Sequence, residues 1–159
     1  LQDLQRDMNI SSLFITHEIN CRTELDDKLK PQILQRSYVR QILVNLIKNA
    51  VEAMPKGGEL LISTDHQVNF NGRQYVEIVV SDTGPGLDEA SISKIFEPGN
   101  SAKKGQHAGL GLSITQSLVA ELCGTISCRN TKTGAQFQVL LPAKVANDVR
   151  KLPGKPGTN

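Results

Sequence analysis

Residues 34–54 read LQRSYVRQILVNLIKNAVEAM, and their spacing decides the fold class. Val39, Ile42, Leu43, Leu46, Ile47, Ala50, Val51 and Met54 recur every three or four residues, the pattern of a helix with one apolar face. Pro55-Lys56-Gly57-Gly58 ends that helix, since proline and glycine after a last turn do not continue it. Projected at about 100° per residue, Gln41, Asn45, Lys48, Asn49 and Glu52 fall on the opposite side. Lysine and glutamate there need only water. Asparagine is a mediocre helix former, because its amide competes for backbone groups. Two of them at i and i+4 ask for a reason beyond solvation. A carboxamide oxygen is a hard neutral ligand, suited to a Mg²⁺ ion whose other ligands are water and phosphate oxygens.

Downstream, Glu59–Thr64 and Tyr75–Val80 read as strands joined by a turn near Asn71-Gly72. A glycine-containing loop follows at Asp82–Leu87, then a short helix over Asp88–Phe96. Residues 97–108 lack periodicity and read as a mobile loop. A third helix fits Leu110–Leu122, and strands fit Gly124–Arg129 and Ala135–Leu141, with Pro142 closing the domain. Upstream, Leu1–Met8 is polar and helix-compatible, and Ile10–Ile19, dense in apolar and β-branched residues, reads as a strand. The order predicts an α+β two-layer sandwich: a mostly antiparallel mixed sheet with three helices on one face. Residues 1–9 read as the end of an upstream linker helix, 10–142 as the domain, and 143–159 as a tail of disordered composition.

The 159 residues suit one domain with a real core. Net charge is +2, but residues 143–159 carry +3 of it, leaving −1 for the folded part. That balance speaks against a nucleic-acid face. Cys21, Cys123 and Cys128 are odd in number and match no zinc spacing. Free thiols in a reducing cytosol are the expectation, hence a cytoplasmic protein. No apolar run approaches the roughly 18 residues of a membrane span, so no membrane contact is expected. The chain begins with Leu1 rather than Met, as a piece of a longer protein would.

Two glycine-bearing loops carry further chemistry. In Asp82-Thr83-Gly84-Pro85-Gly86-Leu87, the glycines allow close approach of a ligand to the backbone. Asp82, at a strand end, is placed to accept a hydrogen bond from an exocyclic amine such as that of adenine. Gly109-Leu110-Gly111-Leu112-Ser113 opens the third helix, where free N–H groups and the positive dipole end favour phosphate. Lys103, Lys104 and His107 precede it and would screen phosphate charge.

In order and spacing the chain resembles the catalytic, ATP-binding domain of sensor histidine kinases, within the superfamily that includes gyrase, Hsp90 and MutL. The N box resembles Asn45-Leu-Ile-Lys-Asn49-Ala-Val-Glu-Ala53, the G1 box Asp82-Thr-Gly-Pro-Gly86, the F box Lys94-Ile-Phe96-Glu97-Pro98 and the G2 box Gly109-Leu-Gly111-Leu112-Ser113. The resemblance covers roughly residues 10–142 and implies a Bergerat-type fold that takes ATP and Mg²⁺. It implies that Asn49 ligates the metal, that Asn45 sits beside metal and phosphates, and that Asp82 binds the adenine amino group. Gly84 and Gly86 would let the base pack close, with Ala53 and Leu87 completing the nucleotide site. Residues 97–108 would form the lid over the nucleotide, Lys103 and Lys104 within it, and Gly109, Leu110, Gly111 and Leu112 would lie near the phosphates. Two departures stand out: Ala135 follows Gly134 where relatives often have threonine, and the lid opens Glu97-Pro98-Gly99-Asn100 without the aromatics of many relatives.

Asn45 bears on the reaction. Hydrolysing relatives carry glutamate there to activate water, and an amide takes no proton at neutral pH. A neutral imidazole is already nucleophilic, and phosphoryl transfer then depends on positioning and charge stabilisation. The expected activity is therefore that of a protein histidine kinase, with Asn45 and Asn49 at its centre. The acceptor is not His17, despite the His17-Glu18 pair, because that residue lies too close to the N box. His66 and His107 lack acceptor context. The partners implied are a histidine-containing dimerisation domain outside this chain and, indirectly, a response regulator. The parent is expected to be a homodimer and this piece a monomer. A gyrase- or MutL-like ATPase and a nucleotide-gated interaction module remain the alternatives.

Overall fold

The computed structural model describes residues 8–30, 32, 34–98 and 110–144. Its elements, in chain order, are α1 (Met8–Thr16), β1 (Ile19–Glu24), α2 (Arg36–Ala53), β2 (Gly58–Phe70), β3 (Arg73–Asp82), α3 (Glu89–Ile92), α4 (Leu110–Glu121), β4 (Thr125–Asn130) and β5 (Ala135–Pro142). The sheet order is β1-β2-β3-β5-β4. β1 runs parallel to β2 and the other three pairings are antiparallel, so the sheet is mixed and mostly antiparallel, as expected.

Alternation places the core. Leu60 and Ile62 on β2, Ile78 and Val80 on β3, and Phe137, Val139 and Leu141 on β5 are all buried in one cluster. Ile42, Leu43, Leu46, Ile47, Ala50 and Val51 of α2, Val119 of α4 and Ile10 of α1 belong to the same cluster. Three helices and one sheet face therefore share a single interior. Asn71 and Gly72 both take positive φ, 51° and 74°, which a two-residue hairpin turn between twisted strands requires.

The strand expected over Ile10–Ile19 is a helix instead, α1. Ile10, Leu13, Phe14 and His17 follow helical spacing: Ile10 is buried, Leu13, Phe14 and His17 are half-buried, and Ile15 is 80% exposed. Periodicity outweighs the local density of β-branched residues. The chain then reverses at Glu18, with φ 54°, and the strand begins at Ile19, where the expected one ended. The helix expected over Asp88–Phe96 is α-helical only at Glu89–Ile92. Ile95 and Phe96 still pack on the core, Phe96 edge-on to Phe137 at 6.4 Å.

Candidate functional site

Asp82 is the fourth inward position of β3 after Val76, Ile78 and Val80, so the pleat points its carboxylate between the sheet and α2. It is only 5% exposed. Its Oδ1 accepts the backbone N–H of Gly84 at 2.9 Å and of Ala135 at 3.2 Å. Burial pushes the carboxyl above its ordinary pKa, and these two hydrogen bonds offset part of that rise. Both bonds fall on Oδ1, and among the described residues Oδ2 accepts from no other group.

The surroundings are held close by glycine. A Cβ on Gly134 would stand 2.1 Å from the Asp82 carbonyl oxygen. A Cβ on Gly84 would stand 3.3 Å from Cβ of Ala53, so the loop rests on the last turn of α2. Gly86 takes φ +77°. The next residue, Leu87, is gripped at both backbone groups by Asn130, whose Oδ1 accepts the Leu87 N–H and whose Nδ2 donates to the Leu87 carbonyl, each at 2.7 Å. Thr83 ties the other flank: its hydroxyl accepts the Glu59 N–H at 3.0 Å. A cleft of about 450 Å³ opens between Ala53–Gly57 and Thr83–Pro85.

Asn45, Asn49 and Ala53 lie four residues apart, so they form a stripe along α2 about 12 Å long. The Asp82 loop meets its Ala53 end. At the other end Asn45 reaches α4: its Nδ2 donates to the Gly111 carbonyl and to the Thr115 hydroxyl, both at 3.1 Å, while its Oδ1 accepts from Gln41 at 2.9 Å. Between the two ends, Nδ2 of Asn49 is buried and has no hydrogen-bond partner among the described residues. A native fold rarely leaves such a donor unpaired unless something outside the fold completes it.

The structure thus brings Asn45, Asn49, Ala53, Asp82, Gly84, Gly86, Leu87, Gly111 and Leu112 to one side of the sheet. Leu110 is described as the first residue of α4. Lys103, Lys104 and Gly109, with residues 99–108 of the expected lid, lie outside the described residues. Thr115, fully buried, and Asn130 escaped the sequence reading. Thr115 reads there as one more β-branched helix residue, and Asn130 as a residue before a turn. Both act on partners far along the chain.

A second polar cluster lies elsewhere. Asp26, Asp65 and His66 gather where β1 exits beside a bulge of β2. Asp26 accepts from both the backbone N–H and the ring of His66, and from the Lys28 N–H; Asp65 accepts the Gln67 N–H. The Asp26–His66 pair pins the strand end to the bulge. The His66 hydrogen bond is the main cause that holds the Asp26 carboxyl below its ordinary pKa.

Residues 35–145 match the family described as histidine kinase-, DNA gyrase B-, and HSP90-like ATPase. The sensory histidine kinase/phosphatase NtrB of Escherichia coli O157:H7 is 28% identical over 146 residues, 88% of this chain and 42% of that protein. The chain therefore spans less than half the length of that relative. The solved catalytic domain of histidine kinase ThkA superposes with a TM-score of 0.75 at 29% identity, covering 91% of this chain and 93% of that one. Full-length ShkA in complex with AMPPNP superposes with a TM-score of 0.71 at 28% identity, covering 91% of this chain and 30% of that one.

Proposed function

Because the chain belongs to the family of histidine kinase-, DNA gyrase B-, and HSP90-like ATPases, we propose that it is the ATP-binding catalytic domain of a sensor histidine kinase. It binds ATP and passes the γ-phosphoryl to a histidine on a separate dimerisation domain, from which a response regulator is served. The unit proposed to do this is residues 10–142. The observation that carries the reading is Asp82: a buried carboxylate whose Oδ1 is fixed by two backbone donors and whose Oδ2 is left to accept from an adenine amino group. The AMPPNP bound to ShkA supports an adenine nucleotide as the ligand.

In this reading the base lies on Gly84, Gly86 and Leu87, against Ala53. The phosphates run along the α2 stripe toward α4, where the N–H groups at Leu110, Gly111 and Leu112 face them. Gly109, Lys103 and Lys104 are assigned to the same nucleotide site on sequence alone. Asn49 fits a Mg²⁺ site: its Oδ1 offers a hard neutral ligand, and its orphaned Nδ2 then has a phosphate oxygen to donate to. Bound Mg²⁺ neutralises charge on the phosphate oxygens. In this reading Asn45 sits beside the metal and the phosphates. Both of its amide hydrogens are committed to α4, so it orders the site rather than taking a proton, and water activation is left without a base at this position. Transfer to an imidazole needs no such base.

Two measurements test the proposal. Calorimetry should detect ADP and ATP binding that strengthens with Mg²⁺. Radiolabelled γ-phosphate should move to a separately supplied dimerisation domain of the parent kinase and not to water. Nucleotide binding with rapid phosphate release and no transfer would instead assign the domain to hydrolysis.

A further inference from the structure

Thr115 is the one buried polar residue of α4 among the described residues, and it is fully enclosed. Its hydroxyl donates to the Gly111 carbonyl one turn earlier at 2.7 Å and accepts from Asn45 Nδ2 at 3.1 Å, while the same Nδ2 donates to the Gly111 carbonyl at 3.1 Å. The three groups close a triangle in which every hydrogen is used: two on the amide, one on the hydroxyl. Stability alone does not call for this arrangement. A threonine that bonds back to the i−4 carbonyl mildly weakens and bends a helix. Valine, of the same shape, would fill the space without burying a hydroxyl.

The triangle has a positional consequence. Gly111 is the second residue of α4, in the turn whose N–H groups face the proposed phosphates. Asn45 lies one helical turn before Asn49, about 6 Å along α2. We infer that Thr115 is a positioning residue: through Asn45 and the Gly111 carbonyl it fixes the first turn of α4 against α2, and so sets the distance between the phosphate-facing N–H groups and Asn49. This rests on the nucleotide reading above.

The test compares this chain with Thr115→Val and Thr115→Ser, each first confirmed folded by thermal melting. Binding of Mg·ADP is measured by calorimetry and of adenosine by NMR titration. Thr115→Val should weaken Mg·ADP by about 3- to 10-fold, the effect of losing the hydrogen bond that ties Thr115 to Asn45, and leave adenosine within about twofold, because adenosine carries no phosphate. Thr115→Ser, which keeps the hydroxyl, should bind Mg·ADP within about twofold of the parent. In an Asn45→Ala background the valine change should add nothing further, as expected of residues acting through one contact. Equal losses for Mg·ADP and adenosine, or no loss for either, would overturn the inference while leaving the nucleotide site intact. A parent chain that binds no nucleotide at all would overturn the functional reading and this inference with it.

Discussion

Asp82→Asn isolates the contact on which the functional reading depends. In the native site Oδ1 accepts two backbone N–H groups, and an asparagine carbonyl oxygen can accept both of them. The amide NH₂ then stands where Oδ2 was, and an acceptor has become a donor. Facing an adenine amino group, the change removes a hydrogen bond to a charged group, worth about 1.5–3 kcal/mol. At about 1.4 kcal/mol per decade, Mg·ADP should bind roughly 10- to 100-fold more weakly. The 6-oxo group of hypoxanthine is an acceptor, so Mg·IDP should lose far less or gain, and the ADP-to-IDP preference should fall or invert. The free domain should not suffer. Burial raises the Asp82 carboxyl because the charged form is penalised there, and asparagine removes that penalty, so the variant should melt at or above the parent temperature. Calorimetry with both nucleotides and a thermal melt read all three outcomes. A folded variant that binds Mg·ADP within twofold of the parent would show that Asp82 does not read the base.

Other perturbations follow from the same geometry. With its folded pKa raised, Asp82 binds a proton more readily in the folded than in the unfolded chain; across that window its contribution to stability falls as pH rises, while ligand binding improves as Oδ2 loses its proton. Mg·ADP affinity should therefore decline on acidification with a midpoint above the ordinary carboxylate value, and Asp82→Asn should flatten the profile; an identical decline in that variant would refute the assignment. Asn49→Leu removes the orphaned buried donor and should stabilise the free domain by about 1 kcal/mol while abolishing the Mg²⁺ dependence of nucleotide binding; urea melts and calorimetry with and without EDTA check both, and Mg²⁺ dependence that survives would exclude Asn49 as a ligand. Cys123 holds φ 57° at the end of α4, where Gly124 N–H bonds Val119 O at 2.9 Å and Cys123 N–H bonds Ala120 O at 2.8 Å. That is the left-handed helix stop that glycine suits best, so Cys123→Gly should be neutral to stabilising by about 1 kcal/mol, and a clear loss in a urea melt would contradict the strain. Gly134→Ala would drive a methyl to 2.1 Å from the Asp82 carbonyl and should destabilise by about 3 kcal/mol or more; a variant with parental melting would mean that this approach is not fixed.

What the sequence discloses is whatever depends on near neighbours. The α2 helix is legible because its apolar face repeats over 18 residues, and the hairpin because Asn-Gly can hold two positive φ angles. The Asp82 loop and the opening of α4 are legible from glycines beside polar groups. The segment at 8–16 misleads because its density of Ile, Phe and Thr suits a strand, while the spacing that makes it a helix is only two turns long and shows chiefly when its burial is known. The site's wiring is hidden for another reason. Asn45 meets Gly111 and Thr115 across 66 and 70 residues, and Asn130 grips Leu87 across 43. Gly134 needs no positive φ; it is required because β3 ends against it, a fact of the register between β3 and β5.

Several features of the site run against stability, and they gather around Asp82 and the α2 stripe. Asp82 is a carboxylate kept from water, Asn49 carries a buried donor with no acceptor among the described residues, and Gly134 is a strand-end position that tolerates no side chain. Any of them alone would be a local defect. Together they describe a surface finished by a ligand, since local rules in natural proteins tend to break where function requires it. The remedy each needs differs. Asp82 lacks a donor and Asn49 lacks an acceptor, so a purine amino group relieves the first and a phosphate oxygen the second. One molecule satisfies both only if it carries a donor-bearing base and phosphates a few ångströms apart. Adenosine alone or Mg·pyrophosphate alone should each bind weakly, because each leaves one buried group uncompensated. Joining them in Mg·ADP should give more binding free energy than the sum of the parts, since the second contact forms without a second loss of translational freedom. Calorimetry on the three ligands decides this. Mg·ADP affinity no greater than the product of the two separate affinities would mean that Asp82 and Asn49 do not serve one pocket.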